Sequence, residues 1–164
     1  MIRISKIVMV ASLGLFGLVV AFNNITDYGS NFEFVKHVLS MDTTFPGNKA
    51  MYRAIEVPAL WHLGYWVIIA GEALTGALFI AAAWEMFNAR RADAAGFRRA
   101  KRLVAGGATT GFLVWFTGFM IVGGEWFLMW QSPNWNGQTA AFQFYVTILG
   151  VLIYVMQPDP EPWE

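Results

Sequence analysis

The sequence contains no cysteine. That excludes a disulfide framework, thiolate metal sites and thiol nucleophiles. Histidine is nearly as scarce, with only His37 and His62 present. A membrane cytochrome uses axial histidines on facing helices, and His37 lies in a stretch between apolar runs, so no haem is expected. No His-x-x-x-His or Glu-x-x-His pair exists to hold zinc or a di-metal centre. Neither a Gly-x-x-x-x-Gly-Lys phosphate loop nor a Gly-x-Ser-x-Gly elbow is found. Charge is the third shortage: charged residues are 13% of the chain, about half the globular norm. We expect no cofactor, no metal and no nucleic-acid partner.

Apolar residues fill the gap. They make up 57% of the 164 residues, and the mean hydropathy is +0.47. This balance identifies a membrane protein before any window is inspected. Four apolar runs follow, at about residues 4–22, 59–87, 103–130 and 139–156. All are read as helices, since lipid leaves the backbone few other ways to satisfy its polar groups. A cleaved signal peptide is the rival reading of the first run. That run continues into Phe22 and bulky polar residues without a small-residue cleavage site, so a retained helix is expected. The fold class is an all-α four-transmembrane-helix bundle forming a single membrane domain.

Lys and Arg set the orientation. Arg3 and Lys6 precede the first span. Arg90, Arg91, Arg98, Arg99, Lys101 and Arg102 crowd the connection at 88–102. An even number of spans puts both sets on one side, with both termini cytoplasmic. The acidic, proline-broken tail "QPDPEPWE" is expected to be unstructured. The long outer loop, 23–58, should carry structure of its own. Ser30 or Asn31 can cap a helix, and Phe32, Val35, Val38 and Leu39 recur at helical spacing. This predicts a short amphipathic helix over about 31–41, ended by the turn chemistry of "FPGN".

Intramembrane acids are the first candidates for chemistry, because a carboxylate in lipid is costly. Glu72 lies near the middle of the second span; His62 on the second span and Glu125 on the third lie towards the outer side. Gly107, Gly111, Gly118 and Glu125 fall on one stripe, so Glu125 should face neighbouring helices. Gly64, Gly71, Thr75 and Ala82 make a similar stripe with Glu72 at its edge. Gln143, Thr147, Gly150 and Tyr154 share a face of the fourth span. Together these predict a bundle with a polar interior seam. Tryptophans form belts: Trp61, Trp66, Trp126, Trp130 and Trp135 at the outer level, Trp84 and Trp163 at the inner. Headgroup anchoring explains most of them.

Two segments carry a resemblance. "NNITDYGSNFEFVKHVLSMDTTFP" after the first span and "WQSPNWNGQTAAFQF" leading into the fourth resemble the predicted small integral membrane proteins of bacteria, domain of unknown function 2165. The resemblance covers essentially the whole chain and implies a bacterial inner-membrane location. It supplies no activity. The residues matching its motif are Asn23, Asn24, Asp27, Tyr28, Asn31, His37, Asp42, Trp130, Ser132, Trp135, Asn136, Gly137 and Gln138. The topology brings both segments to one face, as a candidate outer surface for a partner. The leading expectation is a non-catalytic accessory or assembly subunit, contacting the bilayer and another membrane protein or a second copy. The alternatives are a small oligomeric ion or proton transporter using Glu72 and Glu125, and a quinone or redox protein with His62, Glu125 and the outer aromatics as its pocket.

Overall fold

The computed structural model describes residues 1–161, and Trp163 lies outside them. Six α-helices follow the chain: α1 (Ile2–Thr26), α2 (Tyr28–Ser40), α3 (Pro58–Asn88), α4 (Ala94–Ala100), α5 (Arg102–Phe112) and α6 (Gln138–Met156). A π-helix, Leu113–Trp126, continues α5 without a break. Ile2–Thr26, Pro58–Asn88, Ala94–Trp126 and Gln138–Met156 are long and apolar enough to cross a membrane. The chain is therefore an all-α membrane protein.

The two ends of the bundle are distinct. At the terminal end, Arg3 donates to the carbonyls of Arg90 (3.1 Å) and Pro160 (2.7 Å). Both termini and the 88–102 connection therefore meet there. At the other end, the cap end, Thr43 Oγ1 donates to Ser132 Oγ at 2.8 Å, and the Phe45 amide donates to Gln131 Oε1 at 3.1 Å. The two loops expected to converge do so.

Glycine sets the closest helix approach. A Cβ on Gly76 of α3 would sit 2.6 Å from the Leu18 amide nitrogen, and one on Gly17 would sit 2.9 Å from that of Gly76. Only residues without a side chain let two backbones lie this close. Further along α3, Phe79 presses on Gly107, and Thr75 donates to Thr110 Oγ1 at 3.1 Å. Trp115, buried against Phe16 and Phe144, joins the π-segment to α1 and α6.

Several expectations need correction. Residues 23–26 continue α1, and α2 starts at Tyr28, earlier than residue 31. Val35 and Val38 are buried and Phe32 and Leu39 pack beside them, as the spacing requires. α2 ends at Met41 in the left-handed region (φ 54°). "FPGN" forms a separate turn, with the Asn48 amide on the Phe45 carbonyl and Gly47 at φ 77°, a backbone glycine adopts without a Cβ clash. The third span ends at Trp126, short of the expected residue 130, and Leu128 then turns left-handed (φ 54°). The 88–102 connection contains α4, capped by Asp93 accepting from the Gly96 amide at 2.7 Å.

The tail through residue 161 is docked. Lys6 Nζ donates to Asp159 Oδ1 at 2.9 Å and to the Gln157 carbonyl at 2.7 Å. Lys101 pairs with the other carboxylate oxygen of Asp159. Side-chain exposure is 1% for Lys6, 3% for Lys101 and 2% for Asp159. An acidic tail reads as solvated in isolation; here two buried cations from distant helices give it a counter-charge.

Candidate functional site

Near the cap end, α1 and α3 build a polar cluster around Glu72. Its carboxylate is 3% exposed. Asn24 Nδ2 donates to Glu72 Oε2 at 2.7 Å, and Tyr65 Oη donates to the Asn24 carbonyl at 2.9 Å. Tyr65 is itself buried. Asn24 belongs here because α1 runs to Thr26 and brings that half-buried side chain against Glu72. Among the described residues no Lys, Arg or His forms an ion pair with Glu72. The carboxylate receives one amide donor, from Asn24, while the Tyr65 hydroxyl is spent on the Asn24 carbonyl.

The cluster extends to the start of α2. The Tyr28 ring packs on Tyr65, with centroids 4.7 Å apart, and Tyr28 Oη lies 2.8 Å from His62 Nδ1. Desolvation by burial raises the Tyr28 phenol above its ordinary value, so it keeps its proton near neutrality. His62 stacks on Phe32 at 4.2 Å. Asp27 Oδ1 accepts from Ser30 Oγ, and Asn31 Nδ2 donates to the Asp27 carbonyl. Asn23, Asn24, Asp27 and Asn31 line a cleft of about 440 Å³ on the outer flank of α1.

A second cluster lies between α2 and the 127–137 connection. His37 Nδ1 is 2.8 Å from Asp42 Oδ2, and its ring stacks on Trp135 at 4.7 Å. Ser132 Oγ receives both Thr43 Oγ1 and the Trp135 amide. Trp130 meets Phe45 edge-on at 5.7 Å. Asn136 Oδ1 accepts from the Gln138 amide, a local turn contact. The Gln138 side chain occupies the space a Cβ on Gly124 would need, and Phe34 and Phe119 crowd Gly137. The single outer surface expected from the sequence is thus two clusters, one on the α1–α2 joint and one on the α2–loop joint.

Glu125 stands apart from both. It is exposed on the π-segment and has no hydrogen bond or ion pair among the described residues. The Gly107–Glu125 stripe presumed α-helical spacing. A π-helix bonds i to i+5 and puts more residues into each turn, so positions seven apart no longer share a face. Gly107 and Gly111, before the change, do pack on neighbours. The fourth span departs likewise: Ala141, Ile148, Val151 and Val155 are buried, while Gln143, Thr147 and Gly150 are exposed. Gln143 and Thr147 border a groove of about 460 Å³ between α1 and α6, with Ser12 opposite. The polar seam expected inside the bundle is divided: Glu72 and Thr75 are buried, while Glu125 and the fourth-span face are on the outside.

The residues that sequence reasoning passed over are Lys6, Lys101, Asp159 and Tyr65. Nothing local marks them, because their partners are remote along the chain. Gly14 and Gly17 were legible in principle, as small residues one turn apart on the first span.

No curated protein and no solved structure matches the chain. A family profile described as "Predicted small integral membrane protein (DUF2165)" matches residues 2–158. That match spans nearly all of the sequence, including both polar clusters, and the chain belongs to this family of small integral membrane proteins.

Proposed function

We propose that this protein is a non-catalytic accessory or assembly subunit of a larger inner-membrane complex, with its terminal end in the cytoplasm. The observation that carries this reading is the set of polar side chains, Ser12, Gln143 and Thr147, in the otherwise apolar groove between α1 and α6. Ser12 and Thr147 donate back to their own helices, to the Val8 and Gln143 carbonyls. The Gln143 side-chain amide has no partner among the described residues. An unpaired amide facing hydrocarbon is costly, and a polar side chain on a partner helix relieves it. The basic residues of the 88–102 connection, with Arg3 and Lys6, support the orientation. Gentle solubilisation followed by native gel electrophoresis tests the reading. The wild type is expected in a larger assembly, weakened about fivefold by Gln143→Ala, the scale of an interhelical hydrogen bond. Recovery of the wild type only as a free monomer sinks it.

A second reading, exchange of a proton or small cation at Glu72, is favoured by the buried carboxylate having no cationic partner. It rests on Glu72 alone, because Glu125 shares no contact with it. Glu72→Gln is then expected to abolish flux in proteoliposomes, and unchanged flux rules it out. The quinone or redox reading has less support, since His62 is engaged with Tyr28 and Phe32 and Glu125 is elsewhere.

A further inference from the structure

Beneath α2 lies a cavity of about 450 Å³ that neither polar cluster uses. Its walls come from α2 (Val35, Leu39), α3 (Leu63, Val67) and the π-segment (Phe119, Val122). Every lining residue is apolar or glycine. The volume falls in the range of small-molecule sites. Leu63, Val67 and Val122 are exposed, and they lie on membrane-spanning helices, so the mouth opens towards the bilayer. Gly118 keeps the interior clear: a Cβ there would meet nothing nearer than the Leu113 carbonyl at 3.7 Å.

At the rim sits a cation without a counter-charge. Arg53 Nη1 donates to the Trp126 carbonyl at 3.2 Å, and the guanidinium lies 4.7 Å over the Trp126 ring. Arg53 Nε donates to Tyr52 Oη, and no carboxylate pairs with the guanidinium among the described residues. Ile55, two residues on, and Phe127, next to Trp126, both line the cavity. The guanidinium is therefore tethered at the cap-end edge of the cavity.

We propose that this cavity binds a phospholipid of the surrounding bilayer, one acyl chain beneath α2 and its phosphate on Arg53. An apolar chamber entered from the membrane side admits an acyl chain without desolvating any polar group. A planar guanidinium with unused N–H donors suits a phosphate. A partner helix fits poorly, because about one helical turn, roughly 10 Å across, would fill the volume.

The test uses the full-length protein in vesicles containing phosphatidylglycerol with a photoactivatable group in one acyl chain. Diacylglycerol carrying the same group, and lacking phosphate, is the comparison. Phosphatidylglycerol should label Val35, Phe119 and their neighbours in preference to the rest of the lipid-facing surface. Gly118→Leu, which fills the cavity, should abolish that labelling. Arg53→Gln should remove the advantage of phosphatidylglycerol over diacylglycerol, about fivefold for one basic residue at the membrane surface. Val122→Trp, at the mouth, serves if Gly118→Leu does not fold. Wild-type labelling spread evenly over α1, α3 and α6 overturns the proposal. So does cavity labelling that survives Gly118→Leu or Val122→Trp, or a phosphatidylglycerol advantage that survives Arg53→Gln.

Discussion

Asp159→Ala should release the C-terminal segment from the bundle. In the wild type one carboxylate serves two lysines, Lys6 at 2.9 Å and Lys101 on its other oxygen. Both lysines are almost fully buried. Removing one partner of a buried ion pair costs about 3–5 kcal/mol, chiefly because the remaining charge is left uncompensated. Two ammonium groups would remain, but a segment near the chain end can lift and let water reach them. The cost should therefore be realised as local opening of residues 157–161 rather than global unfolding. Taking the lower figure of about 3 kcal/mol, the open population rises roughly a hundredfold. Hydrogen exchange in detergent reads this opening. The reporter is the Ala94 amide, which donates to Glu161 Oε2 at 3.1 Å in the docked tail. Its protection should fall by about that factor while the middle of α3 is unchanged. Unchanged protection at Ala94 would refute the claim that the lysines hold the tail. The replacement Lys6→Met, Lys101→Met, Asp159→Leu should restore much of the docking, since apolar substitutes avoid the desolvation of all three charges.

Four further outcomes follow from the same geometry. Tail docking should depend on pH in one direction: burial alone would raise the Asp159 carboxyl, but the hydrogen bonds and charges of Lys101 and Lys6 outweigh it and hold the group below its ordinary value. A depressed carboxyl stabilises the docked state fully above the unfolded value of about 3.9 and loses that contribution as pH falls through the folded value, so Ala94 protection should be flat from about pH 5 to 8 and fall below about pH 4. Gly76→Val should destabilise the bundle by about 3 kcal/mol or more in thermal melts, because its Cβ would meet backbone of α1 that cannot move aside. Gly150→Ala, with nothing within 4 Å of the added Cβ, should be neutral or stabilising by up to about 1 kcal/mol; a loss as large as that of Gly76→Val would contradict the packing. Asn24→Leu should cost about 1–3 kcal/mol by removing the donor to Glu72, and adding Glu72→Leu should recover part of it, with additive losses counting against a direct pair.

How much was legible depended on the range of the interaction. The four spans, the α2 amphipathic face and the "FPGN" turn were readable, because each rests on hydropathy or backbone preference within a few residues. The meeting of the two loops at one end was readable too, since an even number of crossings requires it. The tail was misread because its partners, Lys6 and Lys101, stand 153 and 58 positions from Asp159. The bond from Asn24 to Glu72 was not legible because the first span was read to about residue 22, four residues short of the end of α1 at Thr26.

The amino-acid sequence by itself determined that this is a membrane protein of four helices with one basic and one aromatic-rich end. Those properties follow from composition and from the cost of unpaired backbone in lipid. Tertiary structure alone decided which polar residues face inward. The π-helical stretch from Leu113 to Trp126 rotates Glu125 out of the bundle. The packing of Ala141, Ile148, Val151 and Val155 turns Gln143 outward. A face is fixed only when a helix has both a pitch and a neighbour, and neither is written in spacing alone.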